Sequence, residues 1–331
     1  MNEEIGFMGL LSEQEGELEI FETVSIEQLI QFKWEMYARR HHLLGCIMHL
    51  VYVQCLINYT NLVYILNEGS KEDQVLYAYL LAGGILYPAL YDWTQLFKGG
   101  LAEYLNDKWN YADIVYIWSS IGNIYCQMFL SPFILLSKIL MIIVVILALI
   151  KTFFFLRIFE SLSPIVTMLT NVIYDLRIFL FFYTILLVLF SLLFGILGVG
   201  NVKVPGGFKE EWEGEDKDFP GEEYKYTGLL VGNFLYTLRA SLGDFDFAAS
   251  VLLDQPENIM FWIIWYLIVV VTCIIFLNFI IAEAGASYTK VSESLQAFIS
   301  MQKANMIDES EGMTFSCFRN SKKSPKYIVI R

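Results

Sequence analysis

Histidine and charge are the scarcest features of this sequence. Only three histidines occur in 331 residues, His41, His42 and His49, all in one short stretch. A histidine-rich membrane metalloenzyme spreads its ligands over several helices, so that class is disfavoured. Charged residues make up 17% of the chain, where an average soluble domain carries about 25%. The 22 Lys and Arg are outnumbered by 35 Asp and Glu, which excludes a nucleic-acid partner. Five cysteines (Cys46, Cys55, Cys126, Cys273 and Cys317) show no CxxC or CxxxC spacing. Four of them lie in apolar runs, where free thiols are expected rather than disulfides or a metal site. The acidic N-terminus has no basic segment leading into an apolar core, so no cleavable signal peptide is read.

What the chain has instead is apolar length. Hydrophobic residues reach 56% and aromatics 16%. Roughly 20 apolar residues cross a bilayer as a helix, and six runs meet that length: His42–Leu66, Gln74–Phe97, Tyr111–Leu130, Phe133–Leu156, Ile178–Val199 and Ile259–Ala284. The fold class that follows is an all-α membrane protein of six transmembrane helices. Basic residues concentrate before the first run (Lys33, Arg39, Arg40), between the second and third (Lys98, Lys108), after the fourth (Arg157, Arg177) and in the tail (Lys290 to Arg331). Only Lys71 separates the first two runs. Both termini are therefore expected in the cytoplasm. The acids cluster elsewhere, with Glu3, Glu4, Glu13, Glu15, Glu17, Glu19 and Glu22 at the start and a second group in "EEWEGEDKDFPGEE", Glu210–Glu223. Such runs are ordinarily solvated segments.

The connection between the fifth and sixth runs, Gly200–Asn258, is too long for a simple loop. Its second half, "GLLVGNFLYTLRAS", reads as a helix too short to span. A short helix can dip into a bilayer and return only if protein or water shields its backbone. That pattern suits a pore, and its next residues are "LGDFDF", Leu242–Phe247. The negative end of the 229–241 helix dipole favours a cation there. Gly243 permits close approach of backbone carbonyls to an ion, and Asp244 repeated around a fourfold axis makes a ring of carboxylates that selects cations. Protons and divalent ions would compete for such a ring. The plainer alternative is that Asp244 caps a turn or pairs with Arg239. Asp246 is expected at the outer vestibule or beside Arg239.

From these residues the chain resembles the transient receptor potential superfamily of cation channels, within it the polycystin-like and ankyrin-type branches. "LGDFDF" is similar to that group's filter. "FLNFIIAEAGASYTKV" (Phe276–Val291) is similar to its inner-pore helix, "EYLNDKWNYAD" (Glu103–Asp113) to its run into the third span, and "KWEMYARRHH" (Lys33–His42) to its pre-span segment. The resemblance covers roughly Ile30 to Met306. It implies a selectivity filter of Leu242, Gly243 and Asp244, with Asp244 meeting the permeating cation as the one metal contact. It also implies an inner gate at Asn278 and Ile281; for Asn278 an interhelical hydrogen bond is the alternative. Glu283, Ala284 and Gly285 depart from the bulkier residues usual at that mouth, which allows a hinge or moves the constriction to Ile281. The large domain that polycystins carry between their first two spans has no room in "NEGSKEDQV", and the long N-terminal domain of ankyrin-type members is missing. The chain is then a minimal channel or an excerpt of a longer one.

The expected organisation is a cytoplasmic segment at 1–40, a voltage-sensor-like four-helix domain at 41–160 and a linker helix at 161–177. A pore domain follows at 178–285, with pore helix 229–241 and filter 242–246, and then a cytoplasmic tail at 286–331. The expected assembly is a tetramer in lipid, of four copies or mixed with related subunits, that passes Ca2+, Na+ and K+ without a cofactor. The fourth run offers only Lys138, Lys151 and Arg157 where a strong voltage sensor needs about 3–4 gating charges per subunit, so voltage is a weak input. Asp92 and Asp113 are expected to pair with Lys151 or Arg157, or to help form a ligand or calcium site among the four helices. Residues 161–177 form an amphipathic stretch suited to the inner interface. Lys290–Ile307 continues as a helix that packs under the linker, against other subunits, or lies on the surface. Two other function classes stay open: a non-conducting regulatory subunit, and a membrane enzyme built on Asp244 and Asp246. A potassium channel is disfavoured because "SLGDF" lacks the TVGYG carbonyl ladder.

Overall fold

A chain this apolar must satisfy its backbone within each segment, and helix is the only regular structure among the described residues. The computed structural model describes residues 8, 11, 18–66, 68, 70–106, 108–200 and 220–313. The acidic residues Glu3 to Glu17, the run from Glu210 to Phe219, Cys317 and the tail bases from Arg319 onward lie outside them.

The helices are α1 (Leu18–Phe21), α2 (Val24–Lys33), α3 (Arg39–Tyr59), α4 (Lys71–Asn106), α5 (Lys108–Phe129), α6 (Leu135–Leu156) and α7 (Ser163–Ile196), then α8 (Leu229–Ser241), α9 (Gln255–Ile268), α10 (Leu277–Glu293) and α11 (Leu295–Met313). Wide π turns at Trp34–Ala38 and Thr60–Ile65 join α2 and α3 into one rod that ends at Ile65, and a third at Val269–Phe276 joins α9 to α10. Five of the resulting helices are long and apolar enough to cross a membrane: Val24–Ile65, Lys71–Phe97, Leu135–Leu156, Ser163–Ile196 and Gln255–Glu293. Helix α5, the expected third span, has 22 residues but is more polar. It buries Asn110, Ser119, Ser120, Asn123 and Gln127 instead of a wholly apolar face.

Residues 161–177 are not a separate helix. Pro164 occupies a first-turn position, where a missing N–H costs nothing, and no further proline or glycine follows until Gly195. Helix α7 therefore runs unbroken from Ser163 to Ile196.

The chain divides into two units, Met1–Leu169 with Glu293–Arg331, and Thr170–Ser292. In the first unit α3, α4, α5 and α6 bury Tyr52, Leu56, Tyr59, Leu81, Ile85, Tyr116 and Val144 together. Gly84 lets α4 approach α3 closely: a Cβ there would lie 2.6 Å from the Tyr52 ring. Inside this bundle Tyr52 OH and Ser120 Oγ share a hydrogen bond of 3.2 Å, and the Asn123 amide donates to the Ser137 carbonyl at 3.0 Å. A second core of the same unit packs Phe21, Ile30, Trp34 and Ala38 against Ala297, Ala304 and Ile307 of α11. The helix expected from Lys290 to Ile307 thus breaks at Ser294, and its second part, α11, packs on the N-terminal helices of its own chain. The second unit buries Phe190, Phe194, Tyr236, Phe261 and Ile268 around α8.

Candidate functional site

Helix α8 ends where its sequence requires. Gly243 takes φ +89°, a left-handed conformation that only glycine adopts at low cost. The Gly243 N–H then donates to the Ala240 carbonyl at 3.2 Å, and the Asp244 N–H to the Arg239 carbonyl at 2.9 Å. These paired bonds form a Schellman turn, which satisfies helix carbonyls left without partners at a C-terminus. The same reversal carries the Asp244 side chain back over the last turn of α8.

There it meets Arg239, whose Nε donates to Asp244 Oδ2 at 2.7 Å. Nη1 of the same guanidinium donates to Glu223 Oε1 and to Tyr224 OH, each at 2.7 Å. One cation therefore serves two carboxylates and a phenol. The Asp244 side chain remains 60% exposed, and the hydrogen bond from Arg239 holds its carboxyl below the usual range. The pairing expected as the plainer alternative for Asp244 is present, together with an exposed carboxylate at the end of the short helix.

Asp246 is not beside Arg239. Its Oδ1 accepts from the Ala248 N–H at 3.0 Å, which caps the short turn Ala248–Leu252, and its carbonyl accepts from Tyr236 OH. Asp244 and Asp246 thus have separate hydrogen-bond partners. Phe245 packs edge-on against Trp265 at 5.1 Å, and Phe247 lies 5.0 Å from Trp262. Tyr183 OH of α7 bonds Ser241 Oγ at 2.7 Å. Two aromatic residues of α9 and one of α7 thereby brace the end of α8. Helix α9 is fixed in turn by a capping box between Asp254 and Glu257.

Leu242 and Ile281 are exposed. Asn278 donates from Nδ2 to the Ile274 carbonyl of the preceding turn at 2.6 Å, a bond within its own helix. The wide turn at Val269–Phe276 ends one residue before Leu277 and shifts the face on which Asn278 and Ile281 stand; such insertions are frequent at functional sites. Helix α10 passes through Glu283, Ala284 and Gly285 without a break. Ser287 Oγ donates to Asp175 Oδ2 at 2.7 Å, which ties α10 to α7.

The first unit contains a cavity of about 480 Å³. Its wall includes Asp92, Gln95, Asp113, Lys151, Arg157 and Glu309. Lys151 pairs with Asp113 at 2.6 Å. The Arg157 guanidinium lies 3.5 Å over the Phe154 ring and donates to the Phe154 carbonyl at 3.1 Å. Asp92 accepts from Tyr104 OH at 2.8 Å through Oδ2, while its buried Oδ1 and Gln95 Oε1 have no hydrogen-bond partner. Among the described residues no group of three His, Cys, Asp or Glu converges to hold a metal ion. Two of the three histidines hold the fold together: His42 Nε2 bonds the Met306 carbonyl at 2.7 Å and His49 Nε2 bonds Thr152 Oγ1 at 3.0 Å, while the buried His41 Nε2 has no hydrogen-bond partner. Cys46, Cys55, Cys126 and Cys273 are free.

Reading the sequence missed the Glu223 and Tyr224 contacts, because Glu223 closes an acidic run that reads as solvated. Its one signal was position: the breakers Pro220 and Gly221 stand three and two residues before it. Tyr104 and Met306 were likewise missed, since a tyrosine hydroxyl or backbone carbonyl partner leaves no sequence pattern.

A comparison with curated proteins found no match. The profile of a protein family described as "Ion transport protein" matches residues 43–296, a stretch that holds α4 to α10 entire and well over half of the chain. The long apolar helices, the short helix between two of them and this match make the chain a member of the ion transport protein family, a channel of cations in a membrane.

Proposed function

We propose that the chain is the pore-forming subunit of a tetrameric, non-selective, calcium-permeable cation channel of the transient receptor potential type, within its polycystin-like and ankyrin-type branches. Six spans, α5 among them, cross the membrane, with α8 re-entrant between the fifth and the sixth. Both termini lie in the cytoplasm, and Ca2+, Na+ and K+ are carried without a cofactor. Leu242, Gly243 and Asp244 form the filter and Asn278 with Ile281 the inner gate. The observation that carries this reading is the 13-residue helix α8, closed by the turn at Gly243 so that an exposed carboxylate stands at its negative end. A helix dipole and a carboxylate reinforce each other as a cation site.

The test is reconstitution of the purified chain in planar bilayers, with ion selectivity and divalent block measured for wild type, Asp244→Asn and Asp244→Ala. Both substitutions are expected to lower calcium permeability relative to sodium and to weaken divalent block by about tenfold or more, the scale of one lost unit charge in contact with a divalent ion. Unchanged selectivity and block remove Asp244 from the filter. A second reading, a non-conducting regulatory subunit, draws support from the pairing of Asp244 with Arg239; it requires silent bilayers with this chain alone and currents on co-expression with related subunits.

Weak voltage dependence belongs to the same proposal. Lys151 is matched by Asp113, and the remaining fourth-span charges are Lys138 and Arg157, the latter past the helix end. The free acceptors Asp92 Oδ1 and Gln95 Oε1 support the cavity as a regulatory cation or small-ligand site.

A further inference from the structure

The arginine at the end of α8 has a geometry that helix capping does not require. A basic residue in the last turn of a helix stabilises it through the dipole alone, with its head in water. Arg239 instead directs Nε to one carboxylate and Nη1 to another, each at 2.7 Å, with Tyr224 OH as a third acceptor. This fork is a use for which lysine does not substitute. Its partners come from two places: the turn after the helix and the segment before it. All three side chains of the charged network remain more than a third exposed, so the charges face water rather than a sealed core.

The charge balance is the consequence. Glu223 and Asp244 contribute two negative charges per chain and Arg239 one positive, which leaves one net negative charge. We propose that Arg239 is a selectivity-setting residue: by dividing its charge between Glu223 and Asp244 it tunes the field at the filter and keeps divalent cations from binding too tightly to pass. This rests on the reading of Asp244 as the filter carboxylate. A conducting site must bind well enough to admit an ion and weakly enough to release it, and a fixed cation beside the carboxylate supplies the second condition. Glu223, from outside the filter, acts in the opposite direction, because it draws the guanidinium away from Asp244.

The inference assigns opposite signs to two substitutions. Arg239→Gln leaves two negative charges per chain, so Mg2+ and Ca2+ block sodium current at concentrations about three- to tenfold lower, the order expected for one more unit charge about 6 Å from a divalent ion in water. Glu223→Gln leaves none and shifts half-block upward by a similar factor. The double variant restores the wild-type net charge and returns block close to the wild-type value. The experiment measures Mg2+ and Ca2+ block of sodium current through the full chain in planar bilayers for these three variants, Arg239→Lys and Asp244→Asn. Arg239→Lys keeps the charge but loses the fork, and falls between wild type and Arg239→Gln. If Arg239→Gln fails to fold, the exposed Glu223→Gln carries the test alone, and its unchanged block overturns the inference. Shifts of the same sign in Arg239→Gln and Glu223→Gln, or no shift in either, overturn it while a response to Asp244→Asn leaves the filter reading intact. A block indifferent to Asp244→Asn removes the filter reading and the inference with it.

Discussion

Asp244 and Arg239 are five positions apart, and the spacing is set by the turn between them. Because Gly243 reverses the backbone, the Asp244 N–H and carboxylate both return to Arg239, one to its carbonyl and one to its guanidinium. A residue with a Cβ at position 243 would strain that φ, so the turn and the charge pair stand or fall together. The pair also sets the response to acid. The groups facing Asp244 are Arg239 on α8, with Glu223 and Tyr224 of the preceding segment beyond it. Arg239 holds the Asp244 carboxyl below its ordinary value of about 3.9. The depressed pKa keeps the carboxylate charged as pH falls and lost only below that range. Arg239→Gln is therefore expected to move the midpoint of proton inhibition through Asp244 to higher pH. Current titrated from pH 7 downward in both proteins checks this, and a midpoint that falls or stays fixed contradicts it. At this scale "LGD" was legible in the sequence, since glycine before an acid after a helical run signals a C-terminal turn. The second carboxylate was not, because a contact across 16 positions depends on how the intervening segment folds.

At the scale of helices, apolar length carried most of the information. The expected spans and the observed helices agree to within a few residues where the apolar run itself ends, as at Leu156 and at Phe129. They differ where the helix outruns the apolar stretch, since a helix stops at a breaker and not at a change of polarity. Helix α7 shows this, continuing through Asp175 and Arg177 because neither breaks it. The wide turns at Trp34–Ala38, Thr60–Ile65 and Val269–Phe276 left no mark in the sequence; one extra residue in a turn needs no special side chain. Close packing was equally hidden at Gly84, which reads as one of two adjacent small residues in an apolar run. Its contact with Tyr52 gives an expected outcome: Gly84→Val, whose branched side chain has no room beside the ring, destabilises the four-helix bundle by about 1–3 kcal/mol. Thermal unfolding of the purified protein in detergent measures it. Gly83, with nothing within 4 Å of an added Cβ, is the matched control and should tolerate alanine.

At the scale of the whole chain, the N-terminal helices and α11 are parts of one structure. Lys33 pairs with Glu311 at 2.7 Å across 278 positions, and Ile307, fully buried, sits among N-terminal side chains. Periodicity disclosed a helix at Lys290–Ile307 but neither its break at Ser294 nor its partner, because an amphipathic face records that something covers it and not what does. Ile307→Ala is expected to cost about 2–5 kcal/mol, the usual range for a buried large-to-small change. The loss should appear as a lower unfolding temperature with channel selectivity unaltered, because Ile307 belongs to the first unit and the filter to the second. Altered selectivity without loss of stability would contradict that division.

The contact between the N-terminal helices and α11 also imposes an order on biogenesis. The segment that contains Trp34 leaves the ribosome well before α11, the surface that covers it. At about 5–20 residues per second, α2 waits tens of seconds for α11 while the intervening helices enter the membrane. During that interval Phe21, Ile30 and Trp34 have no native cover, so newly made chains are most exposed to chaperone capture and degradation before synthesis reaches Met306.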